Sequence, residues 1–187
     1  MDRSKKLAKR VRRILKSFNV CRFARRDDGS AAVEFALVIM PFLALMFAII
    51  QTALVFFAQQ TLESVAANAA RQILTGQAQA QNYNQSQFQT FVCQNFVVAL
   101  FDCNSRMYID VRTYTTFGSI GNSLPVDNNG NLVNNFVYQP GNQGDIVVVR
   151  LMYEWPLFVN LLGDSVANMS NNTRLLVATA AFRNEPY

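Results

Sequence analysis

Gly29-Ser-Ala-Ala-Val-Glu-Phe35 opens an apolar stretch that runs to Ala58, and this stretch decides how the rest of the chain is read. Residues 35–58 are apolar apart from Gln51, Thr52 and Pro41. At 1.5 Å per residue a helix of that length reaches about 36 Å, enough to cross a hydrocarbon core of about 30 Å with some tilt. A buried core helix is the competing reading. It fails because the remaining sequence is too short to enclose so long a cylinder that is apolar all round. Within this segment Glu34 is the only acidic residue between Gly29 and Glu63. An ionised carboxylate costs about 2.5–3.5 kcal/mol at mid-bilayer and less near the interface, so its presence calls for a functional reason and a cationic partner.

Working outward to the N-terminus, residues 1–29 contain eleven Lys and Arg against Asp2, Asp27 and Asp28, a net charge of +8. The rest of the chain carries six Arg, nine carboxylates and no Lys, a net charge of −3. The overall +5 therefore conceals a strong asymmetry. The positive-inside rule places the N-terminus in the cytoplasm and everything after the span outside it. Leu7, Val11, Ile14, Leu15 and Phe18 share one helical face among Lys and Arg, a pattern suited to an anionic leaflet. The same charge could meet phosphates, but no nucleic-acid docking module accompanies it, so no nucleic-acid partner is expected. The following span and three acidic residues argue against a mitochondrial presequence.

Past the span, Gln59 to Leu74 keeps helical register, with Leu62, Val65, Ala66, Ala69, Ala70 and Ile73 forming a stripe of mainly small apolar residues. That stripe can pack on a partner helix or on the chain's own outer part. Gly76 marks a helix stop. Gln77 to Gln87 reads as a linker, and Phe88 to Leu100 as a second helix. Strands are expected over Arg106–Phe117, Asp145–Trp155 and Arg174–Arg183, with a hairpin-type turn at Asn129-Gly130. Pro156 closes the middle strand, and Leu157–Leu162 reads as a short helical turn. The expected fold class is α+β. A long N-terminal transmembrane helix extends outside the membrane and leads into a small domain, with a helix on a three-stranded, mostly antiparallel sheet. The expected divisions are a basic cytoplasmic leader (1–29), a transmembrane and extended helix (30–76) and an outer domain (77–187).

Cysteine usage follows this topology. Cys21 lies on the cytoplasmic side and should stay reduced, whereas Cys93 and Cys103 lie outside, where an oxidising compartment favours a structural disulfide between them. Catalytic options are few. With no His in the chain and no Lys beyond residue 29, His-based acid–base chemistry, Ser-His-Asp and Cys-His arrangements and a Lys base outside are all excluded. Asp102, Asp110, Asp127, Asp145, Glu154 and Asp164 are dispersed without metal-ligand spacing, and no phosphate-binding glycine loop is present. No enzyme activity, cofactor or metal is expected.

Glu34 also has a plain reading, as a carboxylate in the first turn of a helix, favoured by the macrodipole. In a capping box starting at Ser30, however, the carboxylate belongs three residues on, where Val33 stands. A glycine before the helix, a carboxylate five residues beyond it and a long apolar run together suggest a prepilin-type processing site.

The motif Gly29-x3-Val-Glu-Phe-Ala36, followed by Pro41-Phe42-Leu43 and Phe47, resembles the N-terminus of TadE-like proteins, pseudopilins of the Tad (tight adherence, Flp) pilus machinery. The likeness continues through Leu62 to Arg71, and Ala180-Ala-Phe-Arg-Asn-Glu-Pro186 is similar to the tail of one subgroup. It departs in the length of the leader and at Gln51, where relatives often carry an acidic residue. The resemblance implies cleavage between Gly29 and Ser30 by an inner-membrane prepilin peptidase. It also implies a subunit-assembly role for Glu34 and Phe35, and other pilins and pseudopilins as partners. The protein would then be a minor pseudopilin, required for pilus assembly, in the inner membrane with a periplasmic C-terminal domain. The alternative is an uncleaved single-pass anchor whose periplasmic domain binds a partner. Secretory cleavage near Ala67-Asn-Ala69 fits poorly, because the apolar run is too long for a signal peptide.

Overall fold

A computed structural model describes residues 27–95, 102–121, 123, 125–157 and 167–187. The basic amphipathic face, Cys21, the end of the expected second helix and most of the Leu157–Leu162 turn lie outside the described residues. The chain divides into two compact units between Met46 and Phe47.

Helix α1 spans Asp27–Leu74, starting three residues before the expected Ser30. Its interior holds strong helix formers and no Gly after Gly29, and Pro41 is tolerated as apolar helices tolerate it. In the first unit its side chains from Ala31 to Met46 are exposed or half-buried throughout. The helix ends as its sequence indicates. Gly76 adopts φ +72°, its N–H donates to Ile73 O at 3.0 Å, and Thr75 N–H donates to Arg71 O at 3.1 Å. Only glycine enters this left-handed region without strain. The Leu74 carbonyl accepts a bond from Glu185 N–H at 3.0 Å, so the C-terminal tail completes the cap.

The second unit is built on an antiparallel sheet in the order β1-β2-β3, comprising Met107–Tyr114, Ile146–Pro156 and Thr173–Arg183. Central β2 is wholly apolar on one face and mixed on the other, where Arg150 and Glu154 join Val148 and Met152. Val147, Val149, Leu151, Tyr153 and Trp155 belong to the main core, which also takes in Val55, Leu62, Val65, Ala69 and Ile73 of α1. The small-residue stripe thus packs on the chain's own sheet, one of the two options its sequence left open. On the opposite face Met152, Met169 and Leu175 form a second cluster, covered by Val126, Leu132 and Phe136 from the long β1–β2 connection. Residues of that connection also shield the outer edge of β1. Val111 N–H donates to Val137 O and Gln139 N–H donates to Val111 O, both at 2.8 Å. Asn129-Gly130 makes the expected turn, with Gly130 at φ +78° and Asp127 N–H donating to Asn131 O.

One reading needs correction. Gln77–Gln87 is not a linker: α2 covers Gln77–Ala80 with Ala78 buried, and α3 covers Gln85–Asn95. Asn84 caps α3 reciprocally. Its Oδ1 accepts from Gln87 N–H at 2.8 Å, and Gln87 Oε1 accepts from Asn84 N–H at 3.0 Å. Phe88 and Val92 then add a second helical layer to the main core. Cys93 of α3 is joined to Cys103, the first residue of the short helix α4 (Cys103–Arg106), across a sequence separation of 10. Closing so short a loop contributes about 2–3 kcal/mol in the chain-entropy model. The observed architecture is therefore α+β as expected, with α1 and α3 against an antiparallel three-stranded sheet.

Candidate functional site

Helix α1 carries the predicted processing and assembly residues within its first three turns. Gly29 and Ser30 lie inside the helix, which begins at Asp27. Ser30 and Glu34, four apart, fall on the same side of it. Glu34 is exposed, and Phe35 beside it is 66% exposed. Large apolar neighbours such as Leu37, Val38, Met40 and Phe42 are exposed as well. An apolar helix exposed on every side has no reason to exist in water, where each such side chain forgoes about 1.5–3 kcal/mol of burial. The helix over Ala31–Leu74 is long and apolar enough to cross a membrane, and its most apolar 18 residues have a mean hydropathy of 2.5 with none of them buried. Lipid is the solvent this surface suits.

Burial also indicates how far such an anchor extends. The first buried residue of α1 is Gln51, 8% exposed, followed by Val55, Ala58 and Leu62 in the core of the second unit. Residues 31–50 form the uncovered run, and at 1.5 Å per residue they span about 30 Å, the thickness of a bilayer core. The sequence alone makes Gln51 a polar blemish in the span. Its burial makes it part of the second unit instead.

Chemistry in the second unit is sparse. Among the described residues no three His, Cys, Asp or Glu side chains approach closely enough to hold a metal ion. One ion pair is present there. Asp110, 6% exposed, takes the Arg112 Nε at 2.9 and 2.8 Å through its two oxygens and also accepts Val137 N–H at 3.0 Å. The sequence reading passed over this pair, although a D-x-R spacing on a strand puts both side chains on one face.

Two phenols respond to the core. Burial pushes the Tyr138 and Tyr153 hydroxyls up to about 12, with the Tyr83 hydroxyl adding to the effect at Tyr138. Unfolded tyrosine titrates near 10, so above that pH the unfolded chain releases protons first. Stability is therefore full below about pH 10 and falls as pH rises towards 12. The Tyr138 hydroxyl is buried with no hydrogen-bond partner among the described residues, while its ring lies 5.2 Å from that of Phe88. Tyr138→Phe should keep the ring contact and remove the unpaired oxygen. Its thermal midpoint at pH 8 is expected to equal or exceed that of the wild type, and to fall less between pH 8 and pH 11. An equal fall in both would remove Tyr138 as a source of the alkaline loss.

No curated protein and no solved structure matches this chain. Over residues 29–71, from the Gly29–Ser30 bond to Arg71 in the last turn of α1, the sequence matches the family model described as TadE-like protein, so the membrane-suited helix of this chain is similar to TadE-like proteins.

Proposed function

We propose that this chain is a minor pseudopilin, cut after Gly29 by a prepilin peptidase and required for assembly of a Tad/Flp-type pilus. The observation that carries the reading is Glu34, a carboxylate at the start of an exposed apolar helix of bilayer length, five residues past a glycine, inside the TadE-like match. Cleavage would remove the +8 leader that holds the chain at the cytoplasmic face. It would also create an α-ammonium group on Ser30, for which Glu34 of a neighbouring subunit is the complementary charge. Ser30 and Glu34 share a side of α1, so a subunit displaced along its neighbour by about one helical turn brings the two charges level. The role is structural: the protein supplies an assembly contact in the inner membrane and displays residues 77–187 in the periplasm. Its partners are the peptidase and the other pilins and pseudopilins of the machinery.

The test is the N-terminus of the mature protein, read by intact mass after purification from membranes of a host with an active cognate peptidase. A chain beginning at Ser30 is expected. A chain that keeps Met1, with the peptidase shown to process another substrate in the same cells, would leave an uncleaved anchor carrying a partner-binding domain.

A further inference from the structure

The sheet face turned away from α1 holds a cavity of about 330 Å³ beneath the β1–β2 connection. Asp110, Arg112 and Tyr114 of β1, Arg150 and Met152 of β2, and Asn135 of the connection line it. Alternation along the strands brings these side chains to one face, because Asp110 and Arg150 are direct cross-strand partners. Their charges are nevertheless not paired with each other. The Asp110 carboxylate is engaged by Arg112, whose Nη2 also donates to Asn135 O at 2.7 Å. Arg150, half-buried beside them, donates from Nη2 to the Gly121 carbonyl and has no carboxylate within ion-pair distance among the described residues.

The cavity thus contains two guanidinium groups and one carboxylate. Among the described residues one positive charge is left over, and the Gly121 carbonyl is the acceptor that Arg150 meets. A half-buried cation without a partner is costly, and a guanidinium fork matches a carboxylate in shape and charge. We propose that this cavity is a carboxylate-binding site with Arg150 as its main contact. The single uncompensated charge suits a monoanionic group. A dianion such as phosphate would meet Asp110 as a repelling neighbour. The volume lies at the lower end of the usual range for small-ligand pockets, room for a carboxylate on a short chain. That group could be carried by a polypeptide, at an acidic side chain or a C-terminus, or by a free organic acid.

The experiment uses the full chain in detergent, titrated by ligand-observed NMR with butyrate, with a short peptide bearing a free C-terminal carboxylate, with the same peptide amidated, and with inorganic phosphate. At least one carboxylate is expected to bind in the millimolar range or tighter, with phosphate weaker and the amidated peptide inert. Arg150→Gln should weaken binding at least tenfold, and Arg150→Lys should fall between. Val133→Glu supplies a second arm, because Val133 lines the cavity and is 42% exposed, so the new carboxylate can occupy Arg150 from within the chain and abolish binding without disturbing the core. Tighter binding of the peptide acid identifies a polypeptide source, and tighter binding of butyrate a free acid. Absence of binding by both carboxylates, equal binding by the amidated peptide, phosphate as tight as either carboxylate, or titrations unchanged in both Arg150→Gln and Val133→Glu would each overturn the proposal. None of these readouts depends on cleavage at Gly29.

Discussion

Glu34→Ala is expected to reach the membrane at wild-type levels and to abolish pilus assembly. Insertion depends on the apolar run after Glu34, and removing a carboxylate from its start lowers the insertion cost. Assembly is where the charge matters. Two unit charges 4 Å apart attract by about 4 kcal/mol at an effective dielectric of 20, and water is scarce between packed apolar helices. In the proposed assembly, removing one partner would leave the Ser30 ammonium unpaired, and breaking a buried pair in this way costs about 3–5 kcal/mol. At about 1.4 kcal/mol per decade, the contact that this subunit makes weakens by about two to three and a half orders of magnitude. Glu34→Gln keeps the size and loses the charge, so it should fail as well. Glu34→Asp keeps the charge on a shorter stem and should recover part of the function. The measurements are membrane abundance by immunoblot and surface piliation by microscopy. Normal piliation in Glu34→Ala would sink the assembly role of this residue. Loss of the protein from membranes would mean that Glu34 acts in insertion.

The features legible in the sequence are those set by local patterns. The stop at Gly76 follows from a glycine just past the last periodic residue, and the structure places that glycine at φ +72°. The three strands lie within about three residues of their expected bounds, because β-branched and aromatic runs between turn residues leave few alternatives. The Gly29/Glu34 spacing could be read for the same reason: it is a pattern along one helix. What escaped was set by tertiary context or by a misleading composition. The start of α3 was hidden in a Gln/Asn-rich stretch, where Asn84 and Gln87 form a capping box rather than a loop. Gln51 looked like a defect in a span, since burial by a distant part of the chain leaves no mark on its neighbours. The Arg150 cavity exists only once the β1–β2 connection folds back over the sheet, and nothing periodic in residues 118–144 announces that.

The small-residue stripe and the lipid-suited run belong to one helix, and two leucines of α1 should separate their roles. Leu62 is fully buried in the core of the second unit, while Leu45 in the first unit is 62% exposed. Leu62→Ala removes three buried carbons and opens a cavity in a site lined by β-strands that cannot easily collapse, at a cost of about 3–4 kcal/mol. For a domain of this size each kcal/mol moves the midpoint by roughly 2–8 °C, so a fall of about 10 °C or more is expected. Leu45→Ala exchanges one apolar surface for another in contact with acyl chains, where no water is displaced and no cavity forms, so the midpoint of the second unit should not move. Trp155 reports both cases. It is the only tryptophan in the chain and is 1% exposed within the same core as Leu62. Its fluorescence, followed through a thermal ramp in detergent, reads that core alone. Equal shifts in the two variants would show that α1 unfolds as one unit with the sheet. No shift in Leu62→Ala would show that the stripe does not hold the domain together and is free to serve a partner helix.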